Sequence, residues 1–332
     1  MPDTAPVPNI VPIPGMVQGE VVAAGGAGSG SADGNANEGT DKEGAGGGNG
    51  GDDAGGDNRS GEGDPVNAVT GDVFTLPITD LGLPGPLPFT FVRAFRSTAI
   101  TEDCGLGFGW NHSLGWRVEV RHERIRVWNE RGLWTTFALP QIGHVVVGEY
   151  GWALRRDNDG FTVDAGDETW RSFAVSFDRG ETYRLTSVED RNRNRITVSY
   201  DGRGKLAGMV DSAGRAIKVT SDDLGHITSI QVRDAEPNGR WIAFGTYAYD
   251  EKSRLVRVTD ADGHSWNYAY DDFNRLVRQT NRIGFSVHYR YDNRDRCIES
   301  WGEYAGKNPG LSGDVAPFLA DGTTRAKGIY HR

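Results

Sequence analysis

Histidine, cysteine and carboxylate side chains are where a catalytic or metal site would have to be built. The seven histidines stand at positions 112, 122, 144, 226, 264, 288 and 331, and no two have a metal-ligand spacing such as His-x-x-x-His. His112 and Ser113 are neighbours, but adjacent strand residues point to opposite faces, so Asn111-His-Ser113 reads as a structural corner and not a dyad. Gly105-x-Gly-x-Gly109 could cradle a phosphate only ahead of a helix, and no helical pattern follows, so it reads as a turn. Asp157-Asn-Asp-Gly160 and Asp260-Ala-Asp-Gly263 are reminiscent of calcium loops. Arg155 and Val258 stand where the first acidic ligand belongs, so these too read as turns. Cys104 and Cys297 are too few for a disulfide framework or a Cys-rich zinc site. Two free thiols are expected, with a single bridge as the alternative. The arginines of Arg191-Asn-Arg-Asn-Arg195 alternate with neutral Asn, which suits a solvated edge better than a nucleic-acid site. The chain is therefore expected to be no enzyme, with no catalytic residue, no metal and no cofactor.

Charge and aromatic content divide the 332 residues into two materials. The net charge is −10, but residues 1–64 hold 11 acidic and 2 basic side chains, which leaves the remainder at −1. No Phe, Trp or Tyr precedes Phe74, and 16 of the 47 glycines lie between Ala24 and Gly63. A nearly neutral body has no bulk pull on nucleic acid or anionic lipid. No run of 18 apolar residues exists, so no helical membrane span is expected. The N-terminus lacks a basic region and carries Pro6, Pro8, Pro12 and Pro14, which does not fit a cleavable signal peptide; export by another route stays open. Residues 1–23 read as a Pro-rich head, whose Val7–Met16 suits an extended docking segment, and 24–62 as a disordered Gly/Asp-rich linker.

The body alternates apolar and polar residues with period 2, the pattern of half-buried strands. Trp266, Tyr268 and Tyr270 share one face, as do Phe285, Val287, Tyr289 and Tyr291. Turn clusters such as Asp201-Gly-Arg-Gly204, Asp211-Ser-Ala-Gly214 and Asp271-Asp-Phe-Asn274 separate the runs, giving an antiparallel meander. Its units repeat. Tyr249-Asp250, Tyr270-Asp271 and Tyr291-Asp292 are 21 residues apart, and Tyr200-Asp201 precedes a degenerate Ser221-Asp222 by the same step. The next step is 28 residues, which places a seven-residue insertion near Ala235–Gly239. Six residues after each anchor comes Leu206, Ile227, Leu255, Leu276 or Cys297, and fourteen after come Gly214, Gly263 and Gly284. Phe177-Asp178 looks like a looser, earlier unit. One hairpin cannot bury its own aromatic face, so neighbours must continue the sheet. The Tyr should pack its ring and spend its hydroxyl on a polar partner, and the Asp should start the turn.

Units such as Tyr249-Asp-Glu-Lys-Ser-Arg-Leu-Val-Arg-Val-Thr-Asp-Ala-Asp-Gly263 resemble Rhs/YD repeats. Upstream, Gly63-Asp64-Pro65 with Gly71, Leu83-Pro84-Gly85-Pro86-Leu-Pro88, Phe91-Val-Arg-Ala-Phe-Arg-Ser97 and Gly105-Leu-Gly-Phe-Gly109-Trp110-Asn-His112-Ser113-Leu114 are similar to the module that opens Rhs repeat regions. The resemblance covers roughly residues 63–300. It implies an all-β fold: an extended antiparallel meander of repeat hairpins forming part of a hollow shell. It also implies a division into an opening β module over 63–150, repeats over 151–302 and the start of an incomplete repeat over 303–332. The implied function is structural. In this bacterial family a β-shell encloses a C-terminal polymorphic toxin and is exported in full-length form as a secretion-system effector. The implied partners are the remainder of the shell, its toxin domain, and secretion-apparatus or adaptor proteins. No Rhs core motif and no toxin domain are seen, which suggests a fragment, a truncated product or a chain completed by a partner. The alternative is a carbohydrate- or cell-surface-binding module, which an exposed row of Trp152, Trp170, Trp241 and Trp266 would favour.

Overall fold

A computed structural model describes residues 66–67, 69–176, 181–234, 239–304 and 330–331. The Pro-rich head, the linker, the signature residues Gly63, Asp64 and Pro65, the Phe177-Asp178 unit and most of the insertion lie outside the described residues. Among the described residues the regular elements are strands, with two single turns of 3₁₀ helix and no α-helix.

Strands β1 (Ile78–Leu83), β2 (Phe89–Phe95) and β3 (Trp110–His112) form a small antiparallel sheet in that order. Next come β4 (Arg117–Arg121), β5 (Arg124–Trp128), β6 (Trp134–Ala138), β7 (Val145–Val147), β8 (Ala153–Arg156), β9 (Phe161–Asp164), β10 (Thr169–Ser176) and β11 (Thr182–Asp190). They follow one another around a ring, which closes where Thr182, Tyr183 and Arg184 of β11 pair with Glu119, Val118 and Arg117 of β4. Ring side chains of one parity are buried together: Val118, Ile125, Val127, Phe137, Leu154, Phe161, Val163 and Phe173. The ring straddles residue 150.

The second half of β11 pairs instead with β12 (Arg195–Tyr200), and from there the sheet runs on as a meander. It comprises β13 (Leu206–Val210), β14 (Ala216–Ser221), β15 (Ile227–Arg233), β16 (Trp241–Tyr249), β17 (Leu255–Asp260), β18 (Ser265–Tyr270), β19 (Leu276–Thr280), β20 (Phe285–Tyr291) and β21 (Cys297–Tyr304). A last piece, β22 (Tyr330–His331), pairs with Ser300 and Trp301. The register shifts by a bulge just before Tyr200, Ser221, Tyr249, Tyr270 and Tyr291, each of which then pairs with the apolar residue six positions on. The insertion lengthens its hairpin, because β16 has nine residues where β17, β18 and β19 have six, six and five.

The turns explain the recurring Asp. The Oδ1 of Asp201 accepts the N–H groups of Arg203 and Lys205, and Asp250, Asp271 and Asp292 repeat this two and four residues on. Such a three-residue loop ends in a left-handed residue. Gly204 and Gly225 fill that position, but so do Ser253, Asn274 and Asp295, with φ of 62°, 63° and 62°. The opposite rim uses Asp211, Asp260 and Asn281 in the same way.

Candidate functional site

Each repeat unit is fastened to its neighbour by its anchor residues. The hydroxyl of Tyr200 donates to the carbonyl of Leu185, Tyr249 to Ile227, Tyr270 to Leu255 and Tyr291 to Leu276, over 2.7–2.9 Å. For Tyr249, Tyr270 and Tyr291 the acceptor is thus the apolar residue six positions after the preceding anchor. In the last three units the anchor Asp also holds an arginine four residues on: Arg254 Nε to Asp250 Oδ2 and Arg275 Nε to Asp271 Oδ2 are both 2.7 Å, and Arg296 Nε to Asp292 Oδ2 is 2.9 Å. The same arginine reaches the next unit, where Arg254 donates to the carbonyl of Asp271 and lies over the Tyr270 ring. Arg275 does likewise with Asp292 and Tyr291. Tyr-Asp-x-x-x-Arg is therefore a device for joining hairpins.

The β1–β3 sheet packs on the inward face of these hairpins through a buried charged cluster. On β2, Phe91, Arg93 and Phe95 share the buried face, and Arg93 is 0% exposed. Its Nε donates to Asp80 Oδ2 at 2.9 Å, and its Nη1 donates to the Tyr268 hydroxyl. Tyr247 donates to the same Asp80 oxygen at 2.8 Å. Three aromatic faces surround the guanidinium, with Trp110, Tyr268 and Trp266 centred 5.4, 5.5 and 5.8 Å from its carbon. Cation–π contact thus covers a group whose Nη2 has no hydrogen-bond partner. Beside it, Trp110 stands edge-on to Tyr268 at 4.6 Å and donates from Nε1 to the Tyr270 hydroxyl at 2.8 Å. Burying an indole of this size contributes roughly 4–6 kcal/mol of apolar transfer. Burial pushes the Asp80 carboxyl up despite Arg93. Arg93, which burial alone would weaken as a cation, is held firmly charged by Asp80 and the two phenols.

The signature glycines and prolines fasten the module at both rims of the repeat sheet. On one rim the Pro84 carbonyl accepts from Arg215, and Ser212 Oγ both accepts from Leu87 N and donates to Leu87 O. Gly85 lies against Ser212, where an added Cβ would come within 3.1 Å of its oxygen. Pro86 is exposed. On the other rim the Cys297 N–H donates to the Gly71 carbonyl at 2.9 Å, and Ile227 N–H to Gly105 at 2.7 Å. Gly71 has φ +74°, and a Cβ there would strike Arg296 Cβ at 2.7 Å. Gly109, at φ +80°, allows the Phe95 ring to approach. Ser113 locks the edge of β2 by accepting from Val92 N and donating to Thr90 O.

His112 is a structural corner. Its ring stacks on Phe91 at 5.2 Å, its Nδ1 accepts from Leu114 N–H, and its Nε2 faces the Cys104 carbonyl at 3.0 Å. Burial lowers it to a pKa of about 4, so the neutral ring is the resting form. Burial likewise raises the Cys104 thiol to about 12, and Cys104 and Cys297 are not joined in a disulfide. Asp260, Asp262 and His264 lie close together, but Asp260 Oδ2 is paired with Arg282 and its Oδ1 is spent on the turn. The four tryptophans that would make a ligand-binding row do not share an exposed surface. Trp152 is buried in a stack on Trp116, and Trp266 is half-buried beside Arg93, while Trp170 and Trp241 are partly exposed on strands six apart.

Twenty-one-residue hairpins tied by Tyr and Asp–Arg links, under a small sheet that bridges both rims, define a β-hairpin repeat protein with an opening module. Comparisons with known proteins match two parts of the chain. Residues 63–137 match the family described as domain of unknown function DUF6531, and residues 249–282 and 270–300 match the RHS Repeat. The chain therefore carries Rhs repeats, preceded by a DUF6531 region. It is 27% identical over 209 residues to "Double-stranded DNA deaminase toxin A" of Burkholderia cenocepacia, a match covering 60% of this chain and 14% of that relative. Among solved structures it is similar to a TcdB2-TccC3 crystal structure (TM-score 0.31, 11% identity, 65% of this chain and 14% of that one). It is also similar to a Photorhabdus luminescens Tc holotoxin pore (TM-score 0.29, 11% identity, 55% and 12%). The chain thus spans about a seventh of the length of the curated relative it matches.

Proposed function

We propose that this chain is a non-enzymatic wall element: the opening part of an Rhs-type β-shell that encloses and delivers a C-terminal toxin in a bacterial competition or virulence system. The observation that carries this reading is the seam. The polar residues that could do chemistry are spent on joining the opening module to the repeats, through Arg93, Asp80, Tyr247 and Tyr268. A wall that must not open spontaneously benefits from such cross-links at every unit. In this reading the partners are the rest of the shell, its cargo, and secretion or adaptor proteins. The Pro-rich head of residues 1–23 is the docking end and 24–62 its tether. The test is electron microscopy and protease digestion of the product expressed from its native locus. A hollow particle holding a protease-resistant cargo supports the reading. A solid monomer that binds glycans, with no enclosed cargo, overturns it.

A further inference from the structure

The degenerate unit Ser221-Asp222 departs from the repeat pattern at both joining positions. Ser221 replaces the Tyr, and His226 replaces the Arg or Lys of the other units. His226 keeps the two duties of that arginine within the repeats. Its Nδ1 faces Asp222 Oδ2 at 3.1 Å, and its ring stacks on the next anchor, Tyr249, at 4.8 Å. It differs in its third contact. In place of the next Asp carbonyl, Nε2 faces Asp103 Oδ2 of the opening module at 3.0 Å. Asp103 in turn shapes its own loop, because Oδ1 accepts from Gly105 N and Gly107 N.

That loop occupies ground beside the missing Tyr. Gly105 O accepts the Ile227 amide, Leu106 is fully buried, and a Cβ on Gly107 would come within 2.6 Å of Ser253 O. The hydroxyl of the flanking anchor Tyr249 also reaches the Gly105 carbonyl at 3.4 Å. An anchor Tyr at 221 would send its hydroxyl toward the carbonyl fifteen residues back, as Tyr200, Tyr270 and Tyr291 do. Its ring would enter the space between Tyr200 and Tyr249. The side chain actually there ends at an Oγ without a partner.

We infer that the degenerate unit is a docking slot for the Asp103–Gly107 loop, and that Ser221 and His226 select the repeat on which that loop of the opening module seats. The irregular unit is then a keyway, and the module finds its place along a wall of otherwise similar hairpins by it. This inference concerns the seam and does not depend on the cargo proposed above.

The test is site-resolved hydrogen exchange on the full chain. Restoring the anchor with Ser221→Tyr should raise exchange of the Ile227, Gly105 and Gly107 amides at least tenfold. The Cys297 amide, capped by Gly71 at the far end of the same rim, should stay protected. Asp103→Ala should give the same local pattern, and adding Ser221→Tyr to it should bring little further change. Unchanged protection at Ile227 and Gly105 in a folded Ser221→Tyr chain would overturn the slot. If Ser221→Tyr unfolds the whole chain, Asp103→Ala decides alone, and retained protection at Ile227 would overturn it.

Discussion

The outer turns of the repeats and the inner seam use the same pair of residues under opposite physics. At the rim, Asp292 and Arg296 meet at 2.7 Å with the arginine half exposed. The N–H groups and guanidinium of the turn hold Asp292 down at a pKa of about 2. In the seam, Asp80 and Arg93 meet at 2.9 Å with side chains 7% and 0% exposed, and burial raises the carboxyl. A rim pair shapes a turn that water already solvates, so it adds little net energy. A seam pair cost its solvation when it formed, so losing one partner leaves a charge stranded. Rim links set local geometry, and the seam sets which parts of the chain fold together.

The largest contrast should come from cutting each pair. Arg93→Met should cost about 3–5 kcal/mol, since it strands Asp80. Pairing it with Asp80→Leu should recover much of that loss, which a double-mutant cycle in urea would resolve. Arg296→Met at the rim should cost under about 1 kcal/mol in the same titration. Equal costs would erase the distinction. A smaller step is Tyr270→Phe, which removes the acceptor of Trp110 Nε1 and the donor to Leu255 O. Roughly 2 kcal/mol is expected, against about 1 kcal/mol for Tyr291→Phe, whose hydroxyl donates to Leu276 O. Ser253→Gly relieves a left-handed backbone at φ 62° and should stabilise by about 1 kcal/mol in thermal melts.

The mildest perturbation is pH. Asp292, with its folded pKa below the ordinary 3.8, contributes stability that is present above that value and lost as pH falls toward 2. Asp80 is shifted the other way: its contribution holds at low pH and is lost as pH rises through its raised folded pKa. On acidification to about pH 2, amides bonded to Asp292, those of Arg294 and Arg296, should therefore lose protection before the amides of β2. Seam-first opening in acid would reverse the assignment.

The meander, its 21-residue step and the turn role of Asp were legible in the sequence because they are local. Asp201 to Lys205 is four residues, and Tyr270 to Leu255 is fifteen. The seam was not, because Arg93 and Tyr268 are 175 positions apart and Tyr247 and Asp80 are 167. One signal did point to it. Phe91, Arg93 and Phe95 alternate on a strand, and an arginine on an apolar face needs a buried partner. His226 was hidden differently: it sits where the other units carry Arg or Lys, and only its contact with Asp103 gives it meaning. The closure of β11 onto β4 follows no repeat column, so the ring over β4–β11 could not be seen.

The central claim is that the seam makes the opening module and the repeats one cooperative body. Fluorine NMR of fluorotryptophan-labelled protein through a urea titration tests it directly, with Trp110 reporting the module and Trp301 the repeats. Coincident midpoints for the two residues are expected in the parent chain, and in Arg93→Met the Trp110 transition should move ahead of Trp301. Separate midpoints already present in the parent would contradict the claim, because the module would then open without the wall.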